Sequence, residues 1–285
     1  MTRSLEGVTV ILGAGGFLGT ALRKSLMETP GVKYISTTHQ REVADASGYL
    51  WLDVRNRESV VAALDRIGEY KPRKILNLIS LGVSPYERDI RSEDVGCARE
   101  YAQLLSSKVR ESGNTLLTLV NVSTENIYEF QDSYSQTSRV IHEELAQCRS
   151  SIKYVNVSLP RVFGPGEPRG RFLSDLSAAI KESSSFEIEE PDRIRRLVHI
   201  DDVVTAISRL LTIGESSLID VVQITNQSLF SILSSTDSFE KDKIDRSVIK
   251  IGNSRPIFVG PAPYTKIYQQ TERHFLHRLK CLLDN

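Results

Sequence analysis

Apolar residues along the first half of the chain fall into two alternating textures. Short runs rich in β-branched residues predict strands at Val8–Leu12, Lys33–Thr38, Leu50–Leu52, Lys74–Ser80, Leu116–Ser123 and Tyr154–Leu159. Runs such as VTVIL and LLTLVNVS are nearly continuously apolar, the pattern of parallel strands covered on both faces. Between them, helical apolar spacing marks Phe17–Glu28, Arg57–Tyr70, Ser92–Ser112 and Ser138–Gln147. Strand–helix alternation of this kind predicts an α/β fold with a Rossmann-type, doubly wound parallel sheet.

Past about residue 160 the pattern changes. Pro160, Gly164, Pro165, Gly166, Pro168 and Gly170 crowd one loop, and shorter, less regular elements follow. The expected organisation is a dinucleotide-binding domain over 1–160 and a smaller substrate-binding region over 161–285, partly interleaved with it. A helix is expected over Val203–Leu211, capped by Asp201 and Asp202, and an amphipathic one over Tyr268–Leu283.

Composition narrows the function classes. Hydrophobic residues make up 40% and charged residues 25%, enough apolar content for a real core. Thirty-six basic residues balance thirty-six acidic ones, so no general attraction to nucleic acid or an anionic membrane is expected. The three cysteines, Cys97, Cys148 and Cys281, show neither a disulfide framework nor metal-ligand spacing, and no metal is expected. No apolar stretch approaches the ~18 residues of a membrane span and no signal peptide is apparent, which points to the cytoplasm.

The strongest chemical signal follows the first strand. Gly13-Ala-Gly-Gly16-Phe17-Leu18-Gly19 opens directly into a helix. Glycines there permit a tight turn, close approach of the backbone to a pyrophosphate, and close helix–strand packing, while the helix N-terminus directs unpaired amides at the phosphates. The end of the second strand reads Thr37-Thr38-His39-Gln40-Arg41. It offers hydroxyls and an arginine where an acidic residue would select NAD, and so favours NADP over NAD.

With its Gly-x-x-Gly-x-x-Gly spacing the sequence resembles the extended short-chain dehydrogenases/reductases, more specifically the NAD-dependent epimerase/dehydratase family, most of whose members modify nucleotide-linked sugars. Asp53-Val54 resembles the family's adenine contact, and Asn77-Leu78-Ile-Ser80 stands where its fourth strand passes the cofactor. Ser123-Thr124-Glu-Asn-Ile-Tyr128, Arg161-Val-Phe-Gly-Pro165 and Arg195-Arg-Leu-Val-His199-Ile-Asp201-Asp202 resemble three further family blocks.

The resemblance implies a catalytic hydroxyl at Thr124, a proton-exchanging tyrosine, and a lysine four residues after it. The last two are not both present. Aligning Tyr134 with the family tyrosine puts Ser138 in the lysine position; aligning Arg139 with the lysine puts Ser135 in the tyrosine position. Both registers remain open, with Thr124, Tyr134 and Arg139 as catalytic candidates. Glu125-Asn126 also lacks the paired carboxylates of the family's dehydratases.

Arg161, Arg171 and Arg195 are candidates to bind the substrate's diphosphate. The resulting expectation is an NADPH-dependent reductase of a nucleotide-linked keto-deoxysugar or related carbonyl. A nucleotide-sugar epimerase with tightly held NAD and an NAD(P)-binding regulator are the alternatives. Family dimers pair helices, which here would be Ser92–Ser112 and Ser138–Gln147 of a homodimer.

Overall fold

The computed structural model describes residues 7–81, 92–124, 127, 132–182, 184, 186–188, 197–213, 219–223, 249–251 and 265–270. The chain divides into two compact units, one of residues 1–159 with 204–220 and one of residues 160–203 with 221–285.

The first unit begins with β1 (Val8–Leu12), α1 (Phe17–Met27), β2 (Lys33–Thr38), α2 (Arg41–Ser47), β3 (Leu50–Trp51) and α3 (Arg57–Glu69). It continues with β4 (Lys74–Asn77), α4 (Ser92–Glu111), β5 (Thr118–Thr124), α5 (Ser133–Ala146) and β6 (Lys153–Leu159). The second unit carries β7 (Arg161–Phe163), α6 (Phe172–Glu182), β8 (Phe186–Ile188) and β9 (Leu197–His199). From there α7 (Ile200–Ile213) runs into the first unit, followed by β10 (Ile219–Gln223), β11 (Ile249–Ile251) and β12 (Thr265–Gln270).

Strands of the first unit pair in parallel in the order β3-β2-β1-β4-β5-β6-β10. The order reverses between β1 and β4, leaving a crevice at their carboxyl ends where ligands of doubly wound sheets bind. Val10, Ile11 and Leu12 are wholly buried, as the continuous apolar run requires. The core on one face is built from Val10, Leu12, Val60, Leu64, Tyr101, Leu105, Leu119 and Ile141.

A polar seam crosses this apolar sheet. Asn77, Asn121 and Asn156 sit at matching register on β4, β5 and β6. Asn77 Nδ2 donates to Asn121 Oδ1 at 2.7 Å, and Asn121 Nδ2 to Asn156 Oδ1 at 2.8 Å. Tyr101 Oη donates to Asn77 Oδ1 at 2.7 Å, while Asn156 Nδ2 lies 3.1 Å from Ser123 Oγ and 3.3 Å from Ser158 Oγ. Every side chain in the seam is buried. A one-residue slip of any strand would break the seam inside the core, so it locks the register of the three central strands. Burial also pushes the Tyr101 phenol up, which keeps it a donor.

Several boundaries differ from the sequence expectation. β4 ends at Asn77 rather than Ser80, where the Asn77 side chain turns back to accept the Ile79 amide at 3.4 Å. α5 starts at Ser133 rather than Ser138, because Asp132 caps it: Oδ1 accepts the Ser135 amide and Oδ2 the Ser135 hydroxyl, both at 2.9 Å. α7 starts at Ile200, so Asp201 and Asp202 occupy its first turn, and the Asp201 amide donates to His199 Nδ1 at 3.3 Å. Thr265–Gln270 is a strand, which removes Tyr268–Gln270 from the helix expected over Tyr268–Leu283; residues 271–283 lie outside the described residues.

Candidate active site

β1 delivers the chain to Gly13, whose φ of +80° is the left-handed conformation that turns the backbone toward α1. The Gly13 amide donates to Thr37 Oγ1 at 3.0 Å and the Ala14 amide to the Thr37 carbonyl at 2.9 Å, fastening the turn to β2. At Gly19 an added Cβ would meet Gly13 O at 2.5 Å and Ala14 Cα at 2.6 Å, so α1 can rest on the loop only through a glycine. Gly15 and Gly16 are exposed, and a Cβ on Gly15 would come within 2.8 Å of Thr38 Oγ1.

α1 has Gly16 as its N-cap, with no side-chain cap and no acidic residue in its first turn. The positive end of the helix dipole therefore faces the crevice beside β1 without a side-chain cap to neutralise it. A coenzyme diphosphate fits this cradle: Phe17 and Leu18 are half-buried at its helical rim, and Gly13, Gly16 and Gly19 give it its shape.

The candidate adenosine contacts lie on and beside β2 and β3. Thr37 and Thr38 are both buried, so their hydroxyls serve the loop; Thr38 Oγ1 accepts the Gln40 amide at 3.3 Å. The exposed cation there is Arg41, whose guanidinium stacks 5.0 Å from the centroid of the Trp51 ring. Trp51 is itself anchored by Nε1 donating to His39 O at 3.1 Å. Asp53 is half-buried, and its Oδ1 accepts the Arg55 amide at 3.0 Å; Val54 beside it is buried. Leu78 donates its amide to Leu12 O at 2.9 Å, which places it alongside the end of β1, and Ser80 is exposed.

Among the catalytic candidates, Thr124 ends β5 half-buried, next to the buried Ser123 of the asparagine seam. Tyr134 is half-buried in the first turn of α5. Ser138 lies one helical turn later on the same face and is buried. Ser135 is wholly buried, its hydroxyl and amide both held by Asp132. Arg139 lies about 140° around the continuous helix from Tyr134. Its Nε donates to Ile127 O at 2.8 Å, tying α5 to the segment that follows Thr124.

Of the substrate-binding candidates, Arg161 leads β7 and Arg171 immediately precedes α6, both in the second unit, while Arg195 lies outside the described residues. Sequence reasoning missed two features. One is the asparagine seam, although Lys74-Ile-Leu-Asn77, Thr118-Leu-Val-Asn121 and Lys153-Tyr-Val-Asn156 each place asparagine fourth in a strand. The other is Glu167, which is buried beside Arg171.

Strand order and the glycine turn at the switch point define a Rossmann-type α/β protein. The profile of the NAD dependent epimerase/dehydratase family matches residues 9–224, and the chain belongs to that family. No curated protein matches the sequence significantly. Among solved structures, it is similar to the UDP-glucose 4-epimerase of Thermotoga maritima, determined with UDP-glucose, at 15% identity and a TM-score of 0.72, covering 97% of each chain. It is also similar to the dTDP-glucose 4,6-dehydratase of Bacillus anthracis in complex with NAD, at 13% identity and a TM-score of 0.72, over 98% of this chain and 96% of that one. A third similar structure is the ADP-L-glycero-D-manno-heptose-6-epimerase of Helicobacter pylori, at 15% identity and a TM-score of 0.70, over 100% of this chain and 96% of that one. The shared feature at these identities is the fold.

Proposed function

We propose that the chain is an NADPH-dependent ketoreductase acting on a nucleotide-linked keto-deoxysugar or a related carbonyl. The observation that carries this reading is the pairing of Tyr134 with Ser138 on one face of α5. Oxidising a sugar hydroxyl, the first step of an epimerase or dehydratase, needs a phenolate as base. An ammonium at the Ser138 position would lower the phenol from its usual pKa of ~10, and serine cannot. Reduction needs only a neutral phenol.

Thr124 would hold the substrate carbonyl oxygen by donating a hydrogen bond, and Tyr134 Oη would give the proton that the oxygen takes up as it becomes an alkoxide. NADPH, when bound, supplies the hydride. Arg139 would act as a positioning residue, bracing α5, and with it Tyr134, against the Ile127 carbonyl. The wholly buried Ser135, committed to Asp132, supports taking Tyr134 as the proton donor. Arg41 over Trp51 supports NADP, because its exposed fork can pair with a ribose phosphate. Arg161, Arg171 and Arg195 would engage the diphosphate of the substrate.

The test is turnover by the purified protein of a dTDP-4-keto-6-deoxyhexose with NADPH, followed by nicotinamide absorbance. Consumption of NADPH is expected, and Tyr134→Phe should lower kcat by about 10²-fold or more while leaving coenzyme affinity unchanged. NAD retained through purification, with conversion of a UDP-hexose and no net reduction, would replace this reading with the epimerase. Coenzyme binding with no turnover of any nucleotide sugar would replace it with a regulator.

A further inference from the structure

The turn after β3 is held by two sets of contacts, and only one of them shapes it. Ser59 Oγ accepts the Asp53 amide at 3.0 Å, the Asn56 amide donates to Asp53 O at 2.9 Å, and Asn56 Oδ1 accepts the Ser59 amide at 2.9 Å. Val54 packs into the core. These contacts fix the turn without the Arg55 side chain.

The Arg55 guanidinium reaches instead to the first turn of α4. Its Nε donates to Asp94 Oδ1 at 2.7 Å and its Nη2 to Asp94 Oδ2 at 3.0 Å, a bidentate fork. The Asp94 side chain is wholly buried, whereas that of Arg55 is 48% exposed. Arg55 also lies in the field of Asp53, two residues back. Asp53 is half-buried; its Oδ1 accepts the Arg55 amide at 3.0 Å, and its Oδ2 takes no hydrogen bond among the described residues. One guanidinium thus stands between two carboxylates and is committed to one of them.

We propose that Asp94 is a positioning residue for recognition of the coenzyme's base, with the coenzyme reading above as its premise. By holding Arg55, it keeps Asp53 Oδ2 open to accept the amino group of adenine. Asp94 touches no ligand and acts only through Arg55. Released from Asp94, the half-exposed Arg55 turns to Asp53 and covers the acceptor. An exposed ion pair of that kind is weak, so the obstruction lowers affinity only about fivefold.

The test compares NADPH with reduced nicotinamide hypoxanthine dinucleotide phosphate, whose base carries a carbonyl in place of the adenine amino group. Fluorescence titration of the full chain gives Kd for each. Wild type should prefer NADPH about tenfold, the value of one hydrogen bond to a charged acceptor. Asp94→Asn keeps the side chain's shape and orphans no buried charge; it should cut the preference to about twofold. Adding Arg55→Gln to that variant removes the rival cation and should restore the preference. Asp94→Ser, also suited to the start of a helix, carries the same expectation where the asparagine variant does not fold.

An unchanged preference in the folded Asp94 variant overturns the proposal. So does a preference that Arg55→Gln fails to restore, because the pair would then be a brace for the turn. Wild type that binds both dinucleotides equally overturns the proposal and leaves the coenzyme reading standing. Wild type that binds neither removes both.

Discussion

Asn121 Nδ2 donates to Asn156 Oδ1 at 2.8 Å from the middle of β5 to the middle of β6, with both side chains 1% exposed. Each amide in the seam is at once donor to one neighbour and acceptor from the other. Asn121→Ala therefore strands the Asn77 Nδ2 donor and the Asn156 Oδ1 acceptor in the core. The expected loss of stability is about 3 kcal/mol, each orphaned group contributing about 1–3 kcal/mol. Urea unfolding of the variant measures it; a loss near zero would show that the core admits water at this position.

At the coenzyme loop, Gly19→Ala would drive a methyl group into Gly13 O and the Ala14 backbone, which cannot yield as a flexible side chain would. Overpacking of this kind costs about 1–3 kcal/mol. The variant should melt at lower temperature and bind NADPH at least about tenfold more weakly, because the amides that face the phosphates move with α1. Fluorescence titration of the coenzyme reads the second effect directly.

Arg41→Ala removes the guanidinium over Trp51. A charge-assisted hydrogen bond contributes about 1.5–3 kcal/mol, so Kd for NADPH should rise about 10–100-fold while Kd for NADH stays unchanged. An equal loss for both coenzymes would assign Arg41 to the loop's structure rather than to selection.

Glu167 also makes stability depend on pH. Its folded-state pKa, raised to about 7 from 4.5, means that the folded chain binds this proton more tightly than the unfolded chain does. Below the unfolded value both states are protonated and there is no effect. As pH climbs from 4.5 to 7 the unfolded chain ionises first, so stability falls across that window and levels off above it. The full loss is about 3 kcal/mol at 1.36 kcal/mol per unit. Glu167→Gln should match wild type near the lower limit and exceed it in Tm at pH 8, by thermal unfolding.

The sheet was legible because β1, β2, β5 and β6 are long enough, and apolar enough, to declare themselves without tertiary help. Short polar elements were not. α2 buries only Ala44, so Arg41–Ser47 carries too little apolar signal to stand out. α6 begins directly after Gly170-Arg171, where the loop texture masks the helical spacing of Phe172, Leu173 and Leu176. β12 carries only Ile267 and Tyr268 as apolar residues, side by side rather than alternating, so its strand character does not show beside the charged amphipathic sequence that follows.

The glycine turn could be read from spacing alone, since its chemistry is that of the backbone. The start of α5 could not: Asp132 and Ser135 had to be seen holding each other before Tyr134 and Ser138 shared a helix. The seam and Glu167 depend on which distant residues meet, and no local pattern carries that.

Lys74, at the entry to β4, donates through Nζ to the carbonyl of Leu211 near the end of α7, and burial pushes its ammonium down. β10, a few residues on, then pairs Ile219 with Val157 and Asp220 with Ser158 along the edge of β6. The first unit is thus closed by chain synthesised long after its last central strand. A fragment ending at Leu159 would leave the β6 margin open to other strands and Lys74 without this acceptor, so no single cleavage site yields the first unit in isolation. On the ribosome, that half must wait for the later segment to emerge before its sheet is complete.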